Sequence, residues 1–266
     1  MPDAAPYEVL TRFERFAFRV MRSWNGGPVA GLARLYQRYV LIPFVGSFVA
    51  KRITILGLDK VPREGAILLV ANHRTFFDLF VLAWIFLRRG SFSHKVSFPV
   101  RANFFYEGPL GLMVCLGMSG GTMFPPFFRA TEKKLFNRHS LGLLIEKMKE
   151  PGNLVGFHPE GTRSKTDDPY TLLPAQPGVG ELAIKARPIV IPAFINGLSN
   201  SMWQELKNSL SGKPRVIAVY GEPIPFGELP EETRLSHHKR FADLCNDHIA
   251  ALGQEEKTAR AEGPAP

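Results

Sequence analysis

Ala66-Ile67-Leu68-Leu69-Val70, followed one residue later by Asn72-His73-Arg74-Thr75-Phe76-Phe77-Asp78, decides how the chain folds. Five apolar residues in a row, entered through a turn at Pro62 and Gly65, read as a buried strand. Asp78 to Arg89 is strongly apolar and reads as a helix, so the polar cluster at 72–78 is the loop between the two. The same beat repeats on either side. Ile53-Thr54-Ile55-Leu56, Val96–Val100, Asn153–Phe157, Ile189–Ile195 and Val216–Tyr220 read as strands. Glu132–Glu150, Gly180–Ala186 and Glu231–Leu252 read as helices. Strands separated by helices imply an α/β fold: a mixed sheet covered by helices on both faces.

The 266 residues make one large domain or two small ones. Hydrophobic residues reach 45% and charged residues 21%, which excludes disorder over most of the length. Twenty-one Phe exceed what one core needs. The net charge of +9 and the pI near 9.7 favour an anionic partner: nucleic acid, a membrane surface or a phosphorylated substrate. Cys115 and Cys245 alone give neither a disulfide framework nor a cysteine-based zinc site, and they suit a reducing compartment. The N-terminus carries Asp3, Glu8 and Glu14 before any apolar run, unlike a secretory signal. Gly108–Phe128 is the longest uncharged stretch, but its five Gly and three Pro do not suit a spanning helix.

Three segments follow. Residues 1–51 form a basic, aromatic helical preface in which Arg12, Arg15, Arg19, Arg22, Arg34 and Arg38 face few acids. Phe13, Phe16 and Val20 fall at helical spacing, Asn25-Gly26-Gly27-Pro28 breaks the chain, and Val29–Val40 reads as a second helix. Because the arginines are clustered and nearly unopposed, the pattern is expected to be a helical hairpin lying in a membrane interface, with a pair of core-packing helices and solvated arginines as the alternative. Residues 52–252 form the α/β domain, and 253–266, ending Gly-Pro-Ala-Pro, are expected to be a flexible tail.

Three constellations can carry chemistry. His73 and Asp78 flank the start of a helix just beyond a strand end, where sites in α/β sheets lie. A histidine whose second ring nitrogen is held by an acid can act as a general base. The same residues also fit a helix cap beside a surface histidine. Phe157-His158-Pro159-Glu160-Gly161-Thr162-Arg163-Ser164 follows another buried strand. Gly161 permits a tight turn, and Arg163 with Thr162 and Ser164 suits a phosphate, unless Glu160 and Arg163 simply pair in a solvated loop. Pro188-Ile189-Val190-Ile191-Pro192-Ala193 by itself reads as core.

In this order the three resemble the glycerolipid acyltransferase family, whose best-known members are the 1-acylglycerol-3-phosphate acyltransferases. That family carries Asn-His-x4-Asp, then Phe-Pro-Glu-Gly-Thr-Arg-Ser about 80 residues on, then a Val-Pro-type strand. The likeness covers roughly residues 52–222. It implies an O-acyltransferase moving a fatty acyl group from acyl-CoA or acyl-carrier protein to a lysophospholipid or glycerol phosphate hydroxyl. His73 would be the base and Asp78 its orienting partner. Glu160, Gly161, Thr162 and Arg163 would belong to the acceptor phosphate site. No metal or organic cofactor is implied.

Two departures stand out. His158 intervenes between Phe157 and Pro159, and is expected to be an inconsequential replacement rather than an added polar group in the cleft. The family's second motif, Gly-x-x-Phe with an arginine soon after, becomes Gly121-Thr122-Met123-Phe124-Pro125-Pro126-Phe127-Phe128-Arg129, with the arginine displaced. Arg129 and Arg101 are thus the two candidates for the remaining phosphate contact. The expected partners are the acyl donor, the lipid acceptor and an anionic membrane surface. The expected place is the cytoplasmic face of a membrane, peripheral or monotopic. A nucleic-acid-binding protein is the rival class, but zinc and aromatic-glycine RNA motifs are missing and the basic residues are spread, so no nucleic acid is expected.

Overall fold

The structure, a computed structural model, describes residues 5–88, 95–228 and 233–263. Arg89 and residues 231–232, which the sequence assigns to helices, lie outside the described residues. The chain opens with α1 (Ala5–Glu8), α2 (Arg12–Gly26), α3 (Ala30–Tyr36) and, after a π turn at Gln37–Leu41, α4 (Ile42–Val49). Thr11 caps α2: its hydroxyl accepts from the Glu14 N–H at 3.2 Å, and the Glu14 carboxylate accepts from the Thr11 N–H at 2.8 Å. Then come β1 (Ile53–Leu56), β2 (Ile67–Ala71), α5 (Asp78–Arg88), β3 (Lys95–Ser97), β4 (Val100–Arg101), α6 (Pro109–Gly117) and β5 (Pro126–Phe127). The remainder is α7 (Lys134–Met148), β6 (Asn153–Phe157), α8 (Pro177–Ala186), β7 (Ile189–Asn196), α9 (Met202–Ser211), β8 (Val216–Tyr220) and α10 (Leu235–Ala261).

Six strands form one sheet in the order β1-β8-β7-β2-β6-β3, with every neighbouring pair parallel except β7 and β8. The sheet is therefore mixed. Alternation along β2 feeds two cores, as a period of two demands. Ile67, Leu69 and Ala71 join Leu82, Ile85 and Phe86 of α5 on one face, whereas Leu68 and Val70 join residues of α7, α8 and α10 on the other. The expected strand at 96–100 is split. β3 stays in the large sheet, while the Phe98 N–H donates to the Thr122 carbonyl at 2.6 Å and β4 pairs with β5 in a separate ribbon.

Two expectations need correction. The stripe expected to face a membrane packs partly inward: Phe13 and Val20 lie half-buried against the core that the α2 face of Ala17, Phe18 and Met21 enters beside Glu14, with Phe18 edge-on to Phe136 at 5.1 Å, and of the three only Phe16 is exposed. Glu14 disguised that face, because the Lys133 that neutralises it at 2.6 Å comes from 119 residues away. The large uncovered apolar residues of the preface instead lie mostly beyond α2: Leu32, Leu35, Tyr39, Val40 and Phe44, with Phe16 the one on α2 itself. The second correction is the tail. α10 runs through Gly253 to Ala261, so residues 253–261 are ordered helix. Gly253 lies against the Phe194 ring, where a Cβ would come within 3.1 Å. Glu256 beyond it is buried, accepts from the Tyr170 hydroxyl at 2.7 Å and pairs with Arg260. Among the described residues no helix is long and apolar enough to cross a membrane.

Candidate active site

β2 and β6 are parallel neighbours in the register Val70↔Phe157, so the loops leaving their carboxyl ends emerge side by side. That pairing alone brings residues 72–78 against 158–164. Asn72 extends the sheet past its last strand pair: its amide donates to the Ile195 carbonyl and accepts from the Ile195 N–H, both at 2.9 Å. The direction in which His73 leaves the sheet is thereby fixed.

Asp78 is 1% exposed and fully engaged. Its carboxylate accepts from the Arg74 and Thr75 N–H groups at 2.7 Å each, from the Thr75 hydroxyl at 2.5 Å, and faces His73 Nδ1 at 3.4 Å. The cap and the orienting partner are thus one residue. The 3.4 Å contact is longer than a full hydrogen bond, as is common before substrate binds. His73 Nε2 is left for a substrate. Every backbone N–H from His73 to Phe77 has an acceptor: Glu160, Asp78 twice, Asn200 and the Thr75 hydroxyl. The turn is consequently rigid, and none of these five amides is left over to hold an oxyanion.

Glu160 plays a different part from the one the motif suggested. It is buried, and its two oxygens accept one backbone N–H each, from His73 at 2.7 Å and Leu173 at 2.8 Å. Burial raises its pKa above the ordinary glutamate value, partly offset by those two N–H groups. Among the described residues it does not pair with Arg163; it clips the second loop to the backbone of His73. The Ser164 N–H closes the same clip on the His73 carbonyl at 2.8 Å.

His158 is not inconsequential. Its ring stacks on that of His73 with centroids 3.7 Å apart and planes 4° apart, while its Nδ1–H donates to the Ala71 carbonyl at 2.9 Å. Burial, and then the neighbouring His73, hold its pKa well below the usual imidazole value, so it is a neutral wall behind His73. His73, Asp78 and His158 are the one cluster with metal-ligand spacing among the described residues. Parallel stacked rings cannot both aim in-plane lone pairs at one ion, and the Asp78 oxygens already accept three hydrogen bonds from Arg74 and Thr75, so the donor set does not suit a metal.

The candidate phosphate ligands divide. The Arg101 Nη2 donates to the Gly161 carbonyl at 2.5 Å, which brings β4 to the turn. Gly161 itself adopts φ +63°, the left-handed geometry its lack of a Cβ permits. Arg163 lies on the Phe76 ring at 3.7 Å and donates to Asn200 Oδ1 at 3.0 Å. Neither guanidinium has an ion-pair partner among the described residues, so both keep their charge for an anion. The half-buried Thr162 has no hydrogen-bond partner there either. Arg129 is exposed, without a hydrogen bond or ion pair among the described residues, and none of them ties it to the turn. Beside Phe76 opens an apolar cleft of about 730 Å³, lined by Tyr36, Val40, Phe44, Phe80 and Met113 among others.

Sequence reasoning missed Asn200, whose side chain joins the Phe76 N–H, the Arg74 carbonyl and Arg163. It also missed Arg74, which ties down Ser164, Thr166 and Asp168. An arginine inside the first motif was the available signal; for Asn200 there was none.

A histidine–carboxylate pair thus lies beyond parallel strand ends, clipped to a Glu-Gly-Thr-Arg-Ser turn, and the chain that carries it belongs to the acyltransferase family, which it matches over residues 52–196. It is similar to the glycerol-3-phosphate acyltransferase of Alteromonas mediterranea, 25% identical over 217 residues, or 68% of this chain and 24% of that protein. The chain thus spans about a quarter of that relative's length. Its fold is similar to that of the 1-acyl-sn-glycerophosphate (LPA) acyltransferase PlsC from Thermotoga maritima, with a TM-score of 0.52 and 17% identity over 90% of this chain and 95% of that one.

Proposed function

We propose that the chain is an O-acyltransferase that moves a fatty acyl group from acyl-CoA or acyl-carrier protein to the hydroxyl of a lysophospholipid or glycerol phosphate. The observation that carries this reading is the His73–Asp78 pair clipped to a turn at which two guanidinium groups stand without an ion-pair partner among the described residues, with a large apolar cleft beside Phe76. The cleft suits an acyl chain, and Arg163 and Arg101 suit the acceptor's phosphate. His73 Nε2 takes the proton of the acceptor hydroxyl as that oxygen bonds to the thioester carbonyl carbon. The tetrahedral intermediate collapses with cleavage of the C–S bond, and the leaving thiolate takes the proton from His73. Asp78 keeps Nδ1 protonated and stabilises the imidazolium between the two transfers. No residue changes oxidation state, and the reaction draws on no metal or organic cofactor.

The reaction belongs at a membrane surface, because the acylated product is a lipid with either acceptor. The uncovered apolar residues of α3–α4 and the exposed Arg12, Arg19, Arg22, Arg34 and Arg38 suit peripheral attachment to one anionic leaflet. The testing experiment offers labelled acyl-CoA and acyl-carrier protein to the full chain with a panel of lysolipids and glycerol 3-phosphate. Transfer to at least one phosphate-bearing acceptor is expected. Transfer only to acceptors without phosphate would remove the role given to Arg163 and Arg101.

A further inference from the structure

We propose that α9 is a second membrane-contact element, laying Trp203, Leu206 and Leu210 into the headgroup boundary of an anionic leaflet beside α3–α4. The proposal rests on the membrane reading above. It starts from an unusual surface: Trp203 is 77% exposed and Leu210 82%, with Leu206 and Met202 uncovered between and beside them. At 3.6 residues per turn these four fall within an arc of about 100°. Glu205 and Asn208 lie outside that arc and are buried, Glu205 against Arg52. The helix is thus anchored by its polar residues and offers its apolar ones to the surroundings, the reverse of a helix packed on a water-soluble core.

Two observations give this face its occupant. The first is continuity. The Ser209 hydroxyl donates to the Ser47 carbonyl of α4 at 3.0 Å, and Ser209 borders the apolar arc at Met202. The uncovered side of α9 therefore adjoins the helix that exposes Phe44. The second is chemistry. The exposed charges that α9 and the turn after it carry are Lys207 and Lys213, both cationic, while Glu205 is hidden and paired. Tryptophan over an aliphatic stripe with lysine at its edge is the composition that favours a lipid interface. The position also has a consequence for the site. Asn200, two residues before α9, bonds the Phe76 N–H, the Arg74 carbonyl and Arg163. A leaflet that holds α9 sets the height of the rim at Phe76, where the apolar cleft opens. Two contacts, α3–α4 and α9, fix an orientation that one alone leaves free to rock.

The test uses the full chain with vesicles of phosphatidylglycerol and phosphatidylcholine, some carrying brominated acyl chains. Of the three tryptophans, Trp84 is buried and Trp24 half-buried, so the component lost in Trp203→Phe reports α9. That component should shift to the blue on binding and be quenched by the bromines. Trp203→Gln with Leu210→Gln should lower the vesicle partition coefficient at least tenfold at an unchanged melting temperature, since both side chains are exposed. A chain that floats with vesicles while Trp203 stays unquenched overturns the α9 proposal and leaves the membrane reading standing. A chain that does not float at all overturns both. If the double variant partitions normally but dissolves a dimer seen by light scattering without vesicles, the face belongs to a second copy and the proposal is wrong.

Discussion

Replacing Glu160 by glutamine turns one of two accepting oxygens into an NH₂ donor aimed at a backbone N–H, either that of His73 or that of Leu173. One hydrogen bond to a charged group is lost, about 1.5–3 kcal/mol, and an amide is left unsatisfied, a further ~1–3 kcal/mol. Glutamine avoids the desolvation cost that lifts the pKa of Glu160, so the net loss lies toward the low end, about 3 kcal/mol. For a chain of this size that lowers the melting temperature by roughly 6–12 °C. The clip on His73 loosens with it, and a shift of about 1 Å in a reacting group costs on the order of 100-fold in rate. Glu160→Gln should therefore lower kcat about 100-fold with the acceptor KM within about twofold. The pH profile adds a second reading. Wild type loses the carboxylate, and with it the clip, as pH falls through the raised pKa of Glu160, so activity falls there; the variant lacks that limb. The stability contribution of the same group has the opposite sense: it is present below the unfolded value of 4.5 and lost as pH rises through the raised folded value. An acceptor KM raised tenfold, with kcat and melting temperature unchanged, would place Glu160 on the substrate and refute the clip.

Arg163→Ala should raise the acceptor KM about tenfold or more and leave the donor KM near wild type, since a charge-assisted contact is worth ~1.5–3 kcal/mol; a change confined to the donor KM assigns the guanidinium to the donor instead. Arg129→Ala should alter neither constant, and a raised acceptor KM would restore it to the site. Burial, then Lys95, pushes the Lys147 pKa down to about 8, where its ammonium donates to the Ser97 hydroxyl. Between that value and the unfolded 10.5 the unfolded chain binds more protons, so stability should rise with pH across this window. Lys147→Met should flatten the rise in denaturant melts taken from pH 8 to 10; an unchanged slope assigns the pH dependence to another group.

The sheet was legible because its strands are short uninterrupted apolar runs with Gly, Pro or polar clusters at their ends, Ile67–Ala71 above all. The pairing of His73 with Asp78 was legible as spacing within one loop. What the sequence hid are partnerships between distant residues. Glu14 reads as a surface acid until Lys133 is placed beside it, and nothing local to Glu160 tells that the amides of His73 and Leu173 use both its oxygens. His158 reads as a substitution in a motif. Its stacking on His73 follows only from the register of β2 on β6, which no local pattern reveals. Gly253 reads as a helix stop, but its missing Cβ serves close packing on Phe194.

The central claim is that His73 moves the proton. The direct measurement is single-turnover acyl transfer by His73→Ala beside Asp78→Asn, each checked for a wild-type melting profile and for donor binding. The account predicts losses of at least about 1,000-fold for His73→Ala and of the same order for Asp78→Asn, by comparison with the ~10⁴-fold loss when an orienting aspartate is neutralised in a Ser-His-Asp triad. Folded, donor-binding His73→Ala protein that keeps more than a tenth of wild-type turnover would contradict it.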